Sequence, residues 1–297
     1  MSIRPISSRD NPHYKQLRQL ATSSQARRKQ GKTLLDGVHL CEAWLQHKGM
    51  PALCVVSDSS RGNPEVEKII DACASSSAIC LQFPDALFAP LSQVEHGIGL
   101  LFVVDTPDTV LPGPLRASAV LLDGLQDPGN LGSILRTAAA AGVREVYCSS
   151  GTVFAWSPKV LRAGMGAHFV LDIIEDVDLS ALMREASVPV LATSLQADAS
   201  LYDADLAAPA AWLFGQEGRG VSSDLLALAT RRLIIPQQPK VESLNVAASA
   251  AICLFEQRRQ QQAASRDPHR RGAPPSPMSH QSPAIRPSPS RSNGASA

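Results

Sequence analysis

Three short segments of the chain carry polar side chains and contain or follow an apolar stretch typical of a buried strand, and the first two are also rich in glycine. They are Leu122–Thr137 (LDGLQDPGNLGSILRT), Leu213–Val221 (LFGQEGRGV), and Ile234–Pro236 with the later Glu242–Ala247 (ESLNVA). In open α/β sheets, ligands bind at the carboxyl ends of strands, where turns of this composition lie. The three segments are therefore the first candidates for a binding or catalytic site.

The first segment places a turn rich in Gly, Pro and Asn between a buried strand and a helix. Asn130 lies at or near the predicted helix start, and Arg136 follows almost two helical turns later. Such a turn can cradle phosphates, but the patterns G-x-G-x-x-G and G-x-x-x-x-G-K-[ST] are both absent from it. The sequence therefore does not favour a nucleotide-dependent dehydrogenase or an ATPase.

The other two segments each have a plain structural explanation beside the functional one. Three glycines around Glu217 allow the backbone to approach a ligand closely, although the segment alone is also typical of a surface turn with an exposed acid. Ser243 and Asn245 lie at a predicted helix start, where free N–H groups attract carboxylates and phosphates. Ser243 can equally be a simple N-cap.

The elements around these segments alternate between strands and helices. Strands are predicted at 119–123, 146–149, 169–174, 188–193, 211–215 and 233–236, and helices at 131–141, 158–163, 222–229 and 244–262. Gly142 is expected to end the first of these helices, and Ser222 to cap the third. Nearly continuous apolar strands separated by helices indicate a parallel sheet that is covered on both faces.

The first 105 residues predict a smaller α/β unit. Helices are expected at 13–20, 40–47 and 66–74, and strands at 52–57 and 100–105. A connector rich in proline follows, and a tail rich in Pro, Ser and Arg closes the chain without apolar clusters. We predict a first domain at 1–106, a linker at 107–117, a second domain at 118–262 and a disordered tail at 263–297.

The composition is that of a soluble globular protein, with 44% hydrophobic and 19% charged residues among 297. No apolar run reaches the roughly 18 residues needed to cross a membrane, and the polar N-terminus lacks a secretory signal, so we expect a cytoplasmic protein. Six cysteines lie far apart in the sequence, and no H-E-x-x-H pattern occurs. We therefore expect reduced thiols and no metal site.

The net charge of +1 is unevenly distributed along the chain. Residues 1–50 carry a balance of +6 and residues 263–297 a balance of +4, which leaves −9 for the middle. Basic ends of this kind can hold a polyanion such as RNA, although they can also simply keep the chain soluble.

The three segments, in this order, resemble the signature motifs of the SpoU (TrmH-like) family of RNA methyltransferases, which belongs to the SPOUT superfamily. The resemblance includes Ser157–Lys159 and Arg162–Ala167 and covers about 118–260. The N-terminal part, from Ser8–Pro12 through Asp36 and Gly37, is similar to the substrate-binding domain of these enzymes, which has a ribosomal-protein-like α/β fold. The resemblance implies a homodimer whose parallel C-terminal sheet is threaded as a trefoil knot, an exception to the rule against knots.

The same resemblance implies that the protein methylates a ribose 2′-hydroxyl of rRNA or tRNA and uses S-adenosylmethionine as its cofactor. The implied catalytic residues are Asn130, Arg136, Glu217, Ser243 and Asn245, and the implied cofactor-binding residues are Thr193, Gly215, Ile235 and Leu244, largely through backbone groups. In the basic N-terminal domain, the candidate RNA-binding residues are Arg9, Lys15, Arg27, Arg28, Lys29 and Lys32.

The implied role of Arg136 needs a physical restriction. A guanidinium has a pKa above about 12 and acts as a donor only. We therefore expect Arg136 to grip a neighbouring RNA phosphate and to stabilise the developing alkoxide, and not to remove a proton. Asn130 would orient Arg136 or the ribose, Glu217 would order the loop around it, and Ser243 with Asn245 would shape the pocket.

The chain departs from the family pattern at three places. Gln237, Gln238 and Pro239 stand where the family commonly has Met, any residue and Gly, while Gln216 replaces a frequent Asn and Gly164 a frequent Ser. Proline supplies neither an N–H nor a positive φ, so the cofactor loop is expected to lie differently. This change motivates the alternative function, a catalytically silent relative that binds RNA as a chaperone or assembly factor.

Three further side chains complete the list of candidates. Trp156 either stacks on an unpaired base or packs in the core or an interface, and the second is favoured. His39 and His168 are expected to be packing or surface residues and not catalytic bases.

Overall fold

The N-terminal part contains a mixed sheet of five strands. The structure is a computed structural model, and it describes residues 3–76, 78–94, 97–107, 113–197, 199–238 and 243–266. The strands are β1 (Arg4–Pro5), β2 (Lys32–Asp36), β3 (Leu53–Ser57), β4 (Ile79–Phe83) and β5 (Leu100–Asp105), in the order β1-β4-β3-β5-β2. β1, β4 and β3 are parallel to one another, whereas β5 pairs antiparallel with both β3 and β2.

Helices cover both faces of this sheet. They are α1 (Pro12–Thr22), α2 (Ser24–Gln30), α3 (Val38–His47), α4 (Pro64–Ala74) and α5 (Asp85–Phe88). Alternate strand residues point to opposite faces, so Leu53 and Val55 share a core with α1 and α5 while Cys54 and Val56 pack with α3 and α4. The α/β sandwich predicted for this part is present, and it also contains α2, α5, β1, β2 and β4, for which no element is predicted.

The C-terminal part contains six strands, and every pairing among them is parallel. The strands are β6 (Ala119–Asp123), β7 (Glu145–Ser149), β8 (Asp172–Val177), β9 (Val190–Thr193), β10 (Ala211–Gly215) and β11 (Arg231–Leu233), in the order β11-β9-β10-β6-β7-β8. The helices are α6 (Pro128–Ala141), α7 (Pro158–Gly164), α8 (Leu179–Arg184), α9 (Ser223–Leu228) and α10 (Val246–Arg266). The predicted parallel sheet is confirmed.

Several boundaries differ from those predicted, and α8 lies where no helix was predicted. The strand expected at 169–174 begins only at Asp172, because 167–169 form a turn of 3-10 helix. The strand expected at 233–236 is β11 at 231–233, after which Ile234 makes an isolated bridge to Ser200. α10 continues to Arg266, beyond the boundary at 262. Most of the predicted tail, 267–297, and part of the linker, 108–112, lie outside the described residues.

The second sheet is also covered on both faces. Trp212 and Phe214 of β10 point towards α6, α7 and α10, whereas Ala211 and Leu213 face α8 and α9. β11 lies beyond β9, on the side away from β10, so the chain crosses the sheet edge before it returns to α10, which packs on α6. This path is compatible with the implied trefoil knot, which stays a prediction.

The two parts share a continuous apolar core. The Thr33 hydroxyl donates to the Trp156 carbonyl at 2.6 Å, and Trp44 meets Phe169 edge-on with 5.3 Å between ring centroids. Trp156 itself is buried, so it packs in the core instead of offering its ring to a base. The C-terminal part therefore holds the N-terminal part by specific buried contacts.

Three observations concern the described residues as a whole. No helix among them is both long and apolar enough to cross a membrane. They contain no group of three or more His, Cys, Asp and Glu side chains arranged to hold a metal ion. All six cysteines are buried free thiols.

Candidate active site

A cavity of about 710 Å³ opens where β9 and β10 end, between their loops and the start of α10. The four predicted cofactor-binding residues, Thr193, Gly215, Ile235 and Leu244, all line it. Glu217, Ser243 and Asn245 of the predicted catalytic set line it as well, whereas Asn130 and Arg136 do not. The second and third sequence segments therefore meet in space at one edge of the parallel sheet.

Gly215 is required by the backbone that passes over it. A Cβ atom at this position would lie 2.1 Å from both Gly220 C and Val221 N, which is far inside any normal contact. The close approach arises because Gln216 and Gly220 exchange backbone hydrogen bonds of 3.0 and 2.8 Å and so fold 216–220 into a tight turn. The cavity wall is consequently formed by two backbone segments in direct contact.

A chain of side-chain hydrogen bonds joins all three sequence segments. The Asn130 amide donates to Glu217 Oε1 at 3.1 Å, and its oxygen accepts from Asn245 Nδ2 at 2.9 Å. The Glu217 carboxylate also accepts from the backbone N–H groups of Asp127 at 3.2 Å and Gln126 at 3.3 Å. Glu217 therefore ties the turn before α6 to the loop after β10, which is the ordering role expected of it.

The electrostatics of Glu217 follow from these contacts. Partial burial acts to raise its pKa, but the hydrogen bonds from Asn130 and from backbone N–H groups outweigh burial and lower it overall. The carboxylate is thus ionised at neutral pH, and it serves as an acceptor that organises the loops.

Asn130 and Asn245 owe their positions to two helix starts. Asp127 caps α6, accepting from Asn130 N at 2.7 Å, and Pro128 occupies the first turn, where its missing N–H costs nothing. Asn245 caps α10, accepting from Ala247 N at 2.9 Å and Ala248 N at 3.2 Å. The simple N-cap explanation for Ser243 is therefore wrong, because Asn245 is the cap and Ser243 lies before it on the cavity wall.

Arg136 is exposed on α6 and makes no hydrogen bond or ion pair with the described residues. It lies six residues after Asn130, about 9 Å along the helix axis at 1.5 Å per residue. Asn130 does not orient it in this structure, because both ends of that amide are engaged by Glu217 and Asn245. The guanidinium of Arg136 is available to an external anion.

The six candidate RNA-binding residues have different environments. Arg9 and Lys29 are exposed and make no hydrogen bond or ion pair with the described part of the chain. Lys15 pairs with Asp10 and Lys32 with Asp105, while Arg28 contacts Asp176, Glu175 and the Phe154 ring. Arg27, on α2, is only 6% exposed and donates to the Leu20 carbonyl near the end of α1, so it is a packing residue and not a surface contact for RNA.

Several residues that line the cavity had not been predicted. Val221 and Leu226 contribute apolar surface, and Arg219 contributes a guanidinium. Leu226 lies on α9, 11 residues after Gly215, and only the return of the chain places it at the cavity. Arg219, in contrast, stands inside the glycine-rich segment, and its charge was a signal that sequence reasoning passed over.

Known proteins resemble this chain over most of its length. Residues 117–255 match the model of the SpoU rRNA methylase family. An uncharacterised tRNA/rRNA methyltransferase of Synechocystis is 37% identical over 89% of this chain and 96% of its own length. The 23S rRNA (guanosine(2553)-2′-O)-methyltransferase RlmP of Bacillus subtilis is 30% identical over 86% of this chain and 100% of its own.

Solved structures agree with these relatives. An rRNA methyltransferase from Sinorhizobium meliloti, solved with bound AdoMet, superimposes with a TM-score of 0.75 at 26% identity and covers 86% of this chain and 98% of that one. An RNA 2′-O ribose methyltransferase superimposes with a TM-score of 0.73 at 30% identity, covering 87% of this chain and 99% of that one. With this fold and with the three motif segments joined at one cavity, the chain belongs to the SpoU family of RNA methyltransferases.

Proposed function

We propose that this protein transfers a methyl group from S-adenosylmethionine to the 2′-hydroxyl of a ribose in rRNA or tRNA. The observation that carries the proposal is the hydrogen-bonded chain from Glu217 through Asn130 to Asn245. It fixes the three motif segments beside a cavity large enough for a nucleoside cofactor. The 2′-O-methyltransferase RlmP, which this chain matches over the whole length of that relative, supports the same reaction.

The residues present fit S-adenosylmethionine. The cavity is lined by apolar side chains, among them Val221, Leu226, Ile235 and Leu244, which suit an adenine ring. Gly215 gives access to bare backbone at the same wall, where any side chain would collide. Gln237 of the altered loop lies on the lining, whereas Pro239 lies outside the described residues. When bound, the cofactor supplies a methyl group on a positively charged sulfur.

The protein's own contribution is positioning and charge stabilisation. Arg136 would hold an RNA phosphate with its free guanidinium and stabilise negative charge that develops on the ribose oxygen. Glu217, Asn130 and Asn245 hold the loops at fixed distances from one another. Ser243 lies on the cavity wall next to Leu244 and would help to shape the pocket around the reacting groups.

The remaining parts of the proposal concern RNA and assembly. We propose that the exposed cations Arg9 and Lys29, together with Lys15 and Lys32, contact RNA phosphates in a cytoplasmic enzyme. We also propose a homodimer. Two exposed apolar side chains support it, Leu195 beside the cavity and Phe255 on α10, each about half exposed.

The reaction is tested by incubating the purified protein with S-adenosylmethionine and unmodified cellular RNA. A 2′-O-methyl group blocks alkaline cleavage at its own nucleotide, because the attacking hydroxyl is gone, so sequencing the hydrolysed RNA locates the product. Methylation of a base instead would show that the reaction is assigned wrongly. Light scattering of the same preparation tests the dimer.

The variant Arg136→Ala separates catalysis from binding in this assay. We expect it to abolish methyl transfer while the affinity for the cofactor stays within a few-fold, because Arg136 does not line the cavity. A collapse of cofactor affinity would instead make Arg136 a binding residue. If the unaltered protein binds RNA but no S-adenosylmethionine at millimolar concentration, the catalytically silent relative is the correct assignment.

A further inference from the structure

Arg219 is a cation beside the cavity that the proposed reaction does not use. It lies in the tight 216–220 turn, two residues after Glu217, and it lines the cavity with Thr193, Gly215 and Leu244. The side chain is exposed and makes no hydrogen bond or ion pair with the described residues. A guanidinium has five N–H donors in a planar fork and no acceptor. The guanidinium of Arg219 is therefore available to bind an anion at the rim of the cavity.

Glu217 does not neutralise this cation. Its two oxygens accept from the Asn130 amide and from the backbone of Gln126 and Asp127, on the side of the loop that faces α6. Among the described residues on the lining, Glu217 and Arg219 are the two that carry a formal charge. The carboxylate is therefore already committed within the protein, whereas the guanidinium is not.

The chemistry of S-adenosylmethionine supplies one matching group. Its sulfonium and its amino group are both positive, and its adenosine moiety is uncharged, so the α-carboxylate is its single anionic group. Carboxylates bind guanidinium in a bidentate geometry that is stronger than a neutral hydrogen bond. Arg219 is also exposed at the cavity, so a carboxylate can reach it from the cavity without the guanidinium being buried.

We propose that Arg219 binds the α-carboxylate of the cofactor and so fixes the amino-acid end of the molecule at the rim of the cavity. This inference rests on the proposed cofactor and assigns a binding residue to it. Because the carboxylate is retained in the product, Arg219 contributes to binding before and after transfer. It contributes to the chemistry only by holding the molecule in place.

Calorimetry with two ligands tests the assignment without any turnover. S-adenosylhomocysteine keeps the carboxylate, whereas its decarboxylated analogue, S-adenosyl-3-thiopropylamine, lacks only that group. We expect Arg219→Ala to weaken the binding of S-adenosylhomocysteine about tenfold or more, because a hydrogen-bonded pair of charged groups is lost. The affinity of the same variant for the decarboxylated analogue should stay within about twofold of the unaltered protein's.

Arg219→Lys and Arg184→Ala serve as controls. Lysine keeps the positive charge without the planar fork of donors, so Arg219→Lys should retain part of the affinity. Arg184 is an exposed residue at the end of α8 that is not on the cavity lining, so Arg184→Ala should leave the affinity for both ligands unchanged. Equal weakening of both ligands in Arg219→Ala would mean that the loop itself was damaged and would overturn the assignment.

Two further outcomes are decisive. If Arg219→Ala binds both ligands normally but binds RNA more weakly, the residue contacts an RNA phosphate and the inference is wrong. If the unaltered protein binds neither ligand, the proposed function fails first. The measurements therefore separate an error about Arg219 from an error about the cofactor.

Discussion

At the scale of single residues, the site depends on one amide group. Asn130 uses its N–H to hold Glu217 and its oxygen to hold Asn245, so each end of the amide has a different chemical task. No other side chain of this shape offers a donor on one side and an acceptor on the other. The identity of Asn130 is thereby explained by the loops that it joins.

The variant Asn130→Asp tests this role because it changes only the donor. The carboxylate of the variant still accepts the hydrogen bond from Asn245. It can no longer donate the 3.1 Å hydrogen bond to Glu217, so two carboxylates face each other there. We expect methyl transfer to fall by about two orders of magnitude at pH 8. The loss should be smaller at pH 6, because two adjacent carboxyl groups share a proton and so restore a donor.

A matched control is Asn63→Asp, which alters an asparagine that caps α4 far from the cavity. Aspartate caps helices as well as asparagine does, so this variant should retain full activity. Transfer rates measured between pH 6 and 8 for both variants decide the question. An Asn130→Asp loss that does not depend on pH would argue against the contact with Glu217.

The sequence predicted which residues would surround the cavity better than it predicted their contacts. Thr193, Gly215, Ile235 and Leu244 all line the cavity, as expected of motifs that lie at or after the ends of strands, and their contact with a cofactor stays a prediction. The pairing of Asn130 with Asn245 was missed, because it joins positions 115 residues apart and depends on how two loops meet. Ser243 and Asn245 were equally suitable caps by residue type, and only the backbone geometry distinguishes them.

At the scale of secondary-structure elements, the loop after β10 is limited by contact between two backbone segments. The wall of the cavity at Gly215 exists because 220–221 pass within contact distance of it. The same close contact makes this loop sensitive to a single added carbon atom. Gly218 in the same loop has no such restriction, since a Cβ there would meet nothing within 4 Å.

We expect Gly215→Ala to lower the free energy of unfolding by about 2–4 kcal/mol, because backbone must shift to admit the methyl group. Binding of S-adenosylhomocysteine should be lost with it. Gly218→Ala, in the same loop, should stay within about 0.5 kcal/mol of the unaltered protein. Urea denaturation and calorimetry measure both effects, and equal stability of the two variants would contradict the close contact.

The elements missed in the sequence are those without a clear apolar pattern. β2, which is as long as the predicted β3, directly follows a basic stretch that forms α2, and Gln82 interrupts the apolar run of β4. The seven residues of α2 carry almost no apolar side chain, so no helical periodicity marks them. The strands of the second sheet were predicted well because burial on both faces makes them apolar throughout.

At the scale of the whole molecule, the buried imidazole of His168 links stability to pH. Burial lowers its pKa to about 4, although the hydrogen bond to the Ala155 carbonyl opposes the shift. Nε2 donates to that carbonyl at 2.8 Å, and Nδ1 has no partner among the described residues. Gly164 lies so close that a Cβ there would be 2.7 Å from the ring, which accounts for glycine at a position where serine is frequent in the family.

The sign of the effect follows from the two pKa values. Between about pH 6.5 and pH 4 the unfolded chain binds a proton at His168 that the native protein does not bind. The free energy of unfolding should therefore fall by about 2 kcal/mol from pH 7 to pH 5 through this group alone. His168→Gln keeps an N–H donor without titrating, so its denaturation profile should be flatter by that amount. Parallel profiles would contradict the assignment.

Also at the scale of the whole molecule, Arg28 helps to attach the N-terminal domain to the C-terminal domain. Its guanidinium lies 3.3 Å from Asp176 and 3.8 Å from Glu175 and 4.4 Å above the Phe154 ring. Glu175 is largely buried, which raises its pKa, while the hydrogen bond from Ala155 and the charge of Arg28 act in the opposite direction. Asp176 holds a positive φ of 57°, a conformation that costs energy in a residue other than glycine.

We expect Arg28→Ala to lower the free energy of unfolding by about 1–2 kcal/mol, because Glu175 loses its positively charged partner and the Phe154 ring loses its cation–π contact. The rate of methyl transfer should fall only at temperatures close to the lowered unfolding temperature, because the domains separate there. Lys29→Ala, an exposed neighbour without an internal partner, should instead leave stability unchanged and weaken RNA binding uniformly. If Arg28→Ala behaves as Lys29→Ala does, then Arg28 contacts RNA and its interdomain contacts contribute little.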